Sequence, residues 1–307
     1  MNTNGNRDPQ PEVSRNPESR AGLRFSVLSS GSAGNATYVE VGSGTGETGP
    51  TRGLLVDAGL SCRRIAALLR SIGRTLDDVG AILLTHGHSD HTSGLRQLRR
   101  ERSIPVFSAP GVGEAFGAEI LPAGEVFPVL GGSGCEALFF SVPHDAPTYG
   151  LRLASGAASM ALATDFGEVT GEVLAAMRGV DAAVIEANHD PEWLRRGPYP
   201  AHLKARIASR DGHLSNAQAA DLALALAPHG LVEVVLAHLS DRNNSLARAA
   251  GTVSMTLREA GFGGVRVRSA KAGHPTPWVE VGRPPGSPTR FVYGCSGEVG
   301  QLFGVSE

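Results

Sequence analysis

The segment His86-Gly87-His88-Ser89-Asp90-His91 places four side chains able to bind a metal ion within six residues. Imidazole and carboxylate donors without thiolate suit zinc or manganese, with iron as a further candidate. On an extended stretch the side chains at i and i+2 point the same way, so His86 and His88 can share one ion. A turn into a helix redirects Asp90 and His91, which makes two divalent ions the natural occupancy. Solvated loop histidines, with Ser89 or Asp90 as a helix cap, are the competing reading. It does not account for so dense a run of donors. Two ions a few ångströms apart bind a bridging hydroxide and clamp the oxygens of an in-line phosphoryl displacement, so hydrolysis is the chemistry expected.

Such a hexad needs elements to aim it. AILLT precedes it, a short apolar run of the kind buried on both faces of a sheet, and SGLRQLRRE follows as a helix. Upstream, LRFSVLSS, ATYVEVG and RGLLVDAG read as three strands opening a sheet, interrupted by the glycine-rich GSGTGETGPT. In SCRRIAALLRSIG, the residues Ile65, Leu68, Leu69 and Ile72 share one helical face and Gly73 stands as a stop. IPVFS, EALFFSVP, TYGLRLAS and ASMALATD are adjacent strand candidates, expected to pair antiparallel. DAAVIEAN and LVEVVLAH are strands separated by helical stretches at HLKARIASR and NAQAADLALALA. Strands first, then alternating strands and helices, repeated twice, predict an α/β (α+β) chain folded as a four-layer αββα sandwich. Residues 1–22 are polar and aperiodic, the profile of a disordered tail. The domain is expected over 23–281, with 282–307 as a C-terminal extension opening on RPPGSPTR.

A chain of 307 residues that is 41% hydrophobic can bury a sizeable core. Its formal charge of −2 provides no whole-molecule reason to bind nucleic acid, so any such role must rest on a local site. Three cysteines without C-x-x-C spacing point to neither a disulfide framework nor a thiolate zinc site. No apolar run approaches a membrane span and the N-terminus has no signal-peptide character, so no membrane partner and a cytoplasmic location are expected.

Several further motifs accompany the hexad: SSGSAGNATYV, Asp57 in LLVDAG, PHDA, TDFG, EANHD, GHLSN and AHLSDRNN. Together, over roughly residues 23–281, they resemble the metallo-β-lactamase superfamily and within it the YycJ/WalJ branch. Members of that branch are regarded as 5′-to-3′ DNA exonucleases or related phosphodiesterases. The resemblance implies a dinuclear-metal-dependent hydrolase with DNA as substrate. It implies His144, Asp165 and His238 as the remaining ligands, each at the end of a predicted strand. One ion would be held by His86, His88 and His144 and the other by Asp90, His91 and His238. Asp165 would bridge the ions and hold the attacking hydroxide, and Asp57 would orient a ligand or the water between them.

Other residues stand outside that ligand set. His213 and His189 are candidate proton donors to a leaving alkoxide, against a reading as satisfied loop histidines. Ser215 reads as the cap of the helix NAQAADLALALA. Asn243 and Asn244 are candidates to orient a ligand or contact phosphate, with capping of the helix at SLARAAGTV as the alternative. Asn35, in a turn with Ser32 and Gly34, could bring an amide near the ions, though a plain hairpin fits equally. Arginines at 63–64, 96–102, 195–196 and 242 favour DNA only if they cluster at the cleft. The same ligand set also serves a small-molecule (cyclic) phosphodiesterase or a thioester or lactone hydrolase, which a small closed pocket would favour. A non-catalytic metal-binding protein is the third reading, and the intact ligand set argues against it.

Overall fold

A computed structural model describes residues 22–42, 53–131 and 134–282, and the backbone of two short strands, Phe291–Tyr293 and Val299–Gln301, which pair antiparallel. The tail expected over 1–22 lies outside these residues apart from Gly22, as does nearly all of the glycine-rich GSGTGETGPT.

The first strands pair as their alternation requires. β1 (Leu23–Ser29), β2 (Ala36–Val41) and β3 (Gly53–Val56) form an antiparallel meander. Next comes α1 (Cys62–Ser71), capped by the Ser61 side chain and burying Ile65, Leu68 and Leu69, the face expected from their spacing. It crosses over to β4 (Val79–Leu84), which lies parallel to β3. The short α2 (Ser89–Thr92) and α3 (Leu95–Glu101) lead to β5 (Val106–Ser108) and β6 (Glu119–Ile120), both parallel additions.

The second half repeats the plan. β7 (Val126–Val129), β8 (Cys135–Val142), β9 (Thr148–Ser155) and β10 (Ala158–Ala163) are antiparallel neighbours. After α4 (Gly171–Met177), β11 (Ala182–Glu186) lies parallel to β10. Three helices follow, α5 (Pro191–Arg196), α6 (Ala201–Ile207) and α7 (Asn216–Leu226), where the sequence pattern gives two. β12 (Glu233–Ala237), α8 (Leu246–Glu259) and β13 (Arg266–Ser269) complete this sheet, and β14 (Val279–Val281) returns beside β1.

Two seven-stranded sheets result, in the orders β14-β1-β2-β3-β4-β5-β6 and β13-β12-β11-β10-β9-β8-β7. Side chains two apart on a strand share a face, and the core divides accordingly. Phe25, Val27, Val39, Leu54 and Leu83 meet Phe139, Leu151, Met160, Val184 and Val235 between the sheets. Leu28, Tyr38, Leu55 and Ile82 face outward under α1 and α3, while Ala161, Ile185, Val234 and Leu236 do so under α4, α7 and α8. Helix, sheet, sheet and helix stack as the four expected layers. Each fully buried large apolar side chain contributes about 1.5–3 kcal/mol. Cys62 and Cys135 are free and buried, and burial pushes their thiols up to about 11 and about 12, so both stay uncharged. Among the described residues no helix is long and apolar enough to cross a membrane.

Candidate metal centre

Strand ends converge at one edge of the sandwich. Asp57 follows β3, the hexad follows β4, His144 follows β8, Asp165 follows β10, Glu186 closes β11 and His238 follows β12. Three of these, Asp57, Asp165 and His238, have left-handed backbones with φ of 62°, 60° and 52°. That conformation costs a non-glycine residue on the order of 1 kcal/mol and is retained where the surroundings enforce it. Here it turns each strand end so that its side chain joins the cluster.

The structure brings the seven ligand candidates together. Donor atoms of His86, His88 and His144 lie within 4.8 Å of one another, as do those of Asp90, His91 and His238 and those of His86, His91 and Asp165. Asp165 Oδ2 is 3.2 Å from His91 Nε2, and Asp165 Oδ1 is 3.3 Å from His238 Nδ1, so this carboxylate stands between the groups. His86 Nε2, His144 Nδ1, Asp165 Oδ2 and His238 Nε2 are buried without a hydrogen-bond partner. Buried polar atoms are normally paired, and four convergent exceptions fit a cation held among them.

Electrostatics points the same way. Burial, and then His91, pushes His86 down to about 2, and burial lowers His144, so both rings are neutral and free to donate a lone pair. His91 is raised to about 10 because Asp57 and Asp165 outweigh its burial. His238 is raised well above its usual value by Asp165, Asp90 and Glu186, again against burial. Asp165, despite burial, is held well below the usual carboxylate range by His238 and His91. The carboxylates thus create a spot that demands positive charge.

The outer partners fix ring orientation. Asp57 Oδ2 accepts from His91 Nδ1 at 2.7 Å and from the Thr85 hydroxyl at 2.8 Å, and Oδ1 accepts from the Thr85 amide at 2.9 Å. Asn35 Nδ2 lies 2.8 Å from His91 Nε2, and its own Oδ1 accepts from the Gly31 amide, so Asn35 does reach the cluster. The turn can sit this close because of two glycines. A Cβ on Gly59 would collide with the Asp90 carbonyl, and Gly34, at φ +135°, abuts Gly59 itself.

Glu186 went unassigned from the sequence. Fully buried, its Oε1 accepts from His213 Nδ1 and His238 Nδ1, both at 2.8 Å, and Oε2 accepts from the amides of Phe166 at 3.0 Å and Leu214 at 3.3 Å. The available signal was an acid ending the otherwise apolar run DAAVIE, since a buried carboxylate needs partners. Asp145 was also unassigned. It lies 3.4 Å from His88 Nε2 and 3.2 Å from His144 Nε2, and pairs with Arg206.

A cavity of about 240 Å³ opens beside the cluster, lined among others by Ser32, His144, Tyr199, Leu203, Arg206 and His213. Of the two proton-donor candidates, His213 faces it. His189 does not: it is 3% exposed and outside the lining, its backbone bridged to Ser215 at the start of α7. Neither Asn243 nor Asn244 lines the cavity. Both are buried, and Asn244 Nδ2 donates to the carbonyls of Ala187 and Asn188 and to the side-chain Oδ1 of Asn216, tying its loop to the segment after β11 and to the start of α7. Nor does either cap α8, which Ser245 does. Ser215 caps α7 in a reciprocal capping box, as its position predicts.

Comparison with known proteins agrees with this picture. A model of the beta-lactamase superfamily domain matches residues 52–239. Exodeoxyribonuclease YycJ of Bacillus anthracis is 39% identical over 251 residues, covering 79% of this chain and 92% of that protein. Exodeoxyribonuclease WalJ of Streptococcus pneumoniae is 34% identical over 258 residues, covering 80% and 92%. Among solved structures, the metallo-beta-lactamase fold protein YhfI from Bacillus subtilis superposes with a TM-score of 0.63 at 16% identity, over 84% of this chain and 99% of that one, a likeness of fold. The chain belongs to the metallo-β-lactamase superfamily, alongside YycJ and WalJ, and is a metal-dependent hydrolase.

Proposed function

We propose that this chain hydrolyses DNA phosphodiesters from a strand end, in the 5′-to-3′ direction, at a centre of two divalent ions, zinc or manganese. The observation that carries the reading is the convergence of seven imidazole and carboxylate groups with unpaired buried donor atoms on a cavity, in a chain whose relatives are named exodeoxyribonucleases. His86, His88 and His144 would hold one ion and Asp90, His91 and His238 the other, with Asp165 shared. Ions held there supply Lewis acidity and lower the pKa of water from about 15.7 towards neutrality.

The remaining tasks fall to the protein. Asp57 and Glu186 hold His91 and His238 through Nδ1, the arrangement that turns Nε2 of each ring towards the candidate ion position. Glu186 also fixes His213 through Nδ1, leaving Nε2 of a cavity-lining ring to protonate the departing alkoxide. A cavity of about 240 Å³ takes a single terminal unit of a polymer more readily than a duplex, which favours attack at an end.

The outer role of Glu186 has its own test. Glu186→Gln preserves size, yet its amide nitrogen must face either two backbone amides or two imidazole N–H groups. Metal affinity, followed by competition with a chelator, is expected to fall about 10–100-fold. Unaltered affinity would leave Glu186 a loop tie only.

The function itself is tested by incubating metal-loaded protein with a 5′-labelled DNA duplex and with bis(p-nitrophenyl) phosphate, beside His86→Ala. Release of labelled mononucleotide that requires His86 is the expected result. Activity on the small diester alone would identify a small-molecule phosphodiesterase, and none on either would redirect the search to thioesters or lactones.

A further inference from the structure

Most arginines near the cluster are committed to acids. Arg206 pairs with Asp145, Arg195 and Arg196 with Glu192, Arg248 with Asp190 and Arg210 with Glu168. Arg63 and Arg64, in the first turn of α1, are different. Both are exposed, and among the described residues neither has an acidic partner. They line an open groove of about 550 Å³ together with Ala33, Gly59, Leu60 and Ser93.

This groove adjoins the candidate centre. Gly59 donates its amide to the Asn35 carbonyl at 2.9 Å, and Asn35 donates its own amide to the Asp90 carbonyl at 2.8 Å. The turn at 31–34 forms the ridge between the two spaces: Ser32 lines the cavity of His144 and His213, and Ala33 lines the groove. Both ridge residues are small and exposed, so an extended chain can cross there. Lys271 adds a third exposed cation on the flanking loop. That loop is held against the same region by the Gly273 amide, which bonds Ser29 Oγ at 3.0 Å, and a Cβ at Gly273 would meet the Arg64 guanidinium.

We propose that the groove of Arg63 and Arg64 holds the phosphate backbone of single-stranded DNA next to the nucleotide being cleaved, with the strand crossing the 31–34 turn from the metal cavity. The assignment rests on the DNA-hydrolysis reading above. Neighbouring guanidiniums repel one another, and in a chain of net charge −2 an unpaired set beside the centre is suited to a polyanion. Exposed charge runs are usually just solvated surface, and what distinguishes this one is the groove it lines and the wall that groove shares with the cluster.

The test compares wild-type protein, Arg63→Ala/Arg64→Ala and Arg195→Ala/Arg196→Ala on a dinucleotide and on a single-stranded oligonucleotide of about twelve nucleotides. Wild type is expected to prefer the longer substrate in kcat/KM. The first variant should lose at least tenfold of that preference, and its dependence of log affinity on log salt should become shallower by about 1.4, roughly 0.7 for each phosphate no longer neutralised. The charge-preserving exchange Arg63→Lys/Arg64→Lys should restore most of the slope, which a packing defect would not. The Arg195/Arg196 variant should keep both properties. If Arg63→Ala/Arg64→Ala retains the length preference and the salt slope, the groove is not the DNA track. Failure of the wild type on both DNA substrates would overturn the DNA-hydrolysis reading, and the groove assignment with it; that outcome appears in a separate arm from failure of the groove alone.

Discussion

Asp165→Asn is expected to lose hydrolysis by more than about 100-fold, beyond the 10–100-fold range typical of partners that only orient a ligand. Asparagine tolerates the left-handed backbone that residue 165 adopts at φ 60°, so this exchange removes charge without imposing a new conformational cost. What disappears is the negative charge that faces His91 at 3.2 Å and His238 at 3.3 Å. Both candidate ion positions lose a shared carboxylate at once, and a neutral amide cannot replace it. The measurement is kcat/KM on labelled DNA with bound metal counted by elemental analysis and folding followed by circular dichroism. Full metal occupancy together with full turnover would remove Asp165 from the mechanism.

His213→Ala is expected to slow DNA hydrolysis about 10²–10⁴-fold, the usual contribution of a positioned acid. Its loss on bis(p-nitrophenyl) phosphate should be far smaller, because nitrophenolate departs without a proton whereas a sugar alkoxide does not. That split separates proton donation from a merely structural part, which would depress both substrates alike. The pH response has a definite sign. Burial pulls the His213 pKa down, but Glu186 outweighs it and the net shift is upward. The upward shift extends the imidazolium to higher pH than in a free histidine, so the wild-type rate on DNA should fall as pH rises through that pKa. His213→Ala should lack this limb. Equal losses on the two esters would transfer the role elsewhere.

Local chemistry was readable from sequence and tertiary chemistry was not. The hexad could be interpreted because its donors are neighbours in the chain, and strand geometry alone pairs His86 with His88. β1 to β3 and α1 were legible because alternation and the Ile65-Leu68-Leu69 face are short-range signals. Asp57, His144, Asp165 and His238 sit singly at strand ends, and only a family likeness grouped them before the fold did. Glu186 had no such help: its role exists through Phe166, His213, Leu214 and His238, all at least 20 residues away. Asn244 misled for the converse reason. An asparagine in a loop beside a histidine looks available, yet this one spends its hydrogen bonds on the backbone of neighbouring loops. α5 escaped notice because six residues are too few for a helical period, although Asp190 and Pro191 are a cap and first-turn pair.

The candidate centre draws its side chains from both sheets, from Asn35 in the first turn to His238 after β12. Neither half of the sandwich alone carries a complete donor set. The hexad lies far upstream of His144, Asp165 and His238 in the chain, and without them it offers only a fragment of a site. A complete donor set exists only once β12 lies beside β11, because His238 follows β12, so metal affinity is coupled to the folding of both sheets. A chain that misplaces either sheet therefore lacks the complete donor set, and correct packing of the sandwich is a condition of metal-dependent hydrolysis.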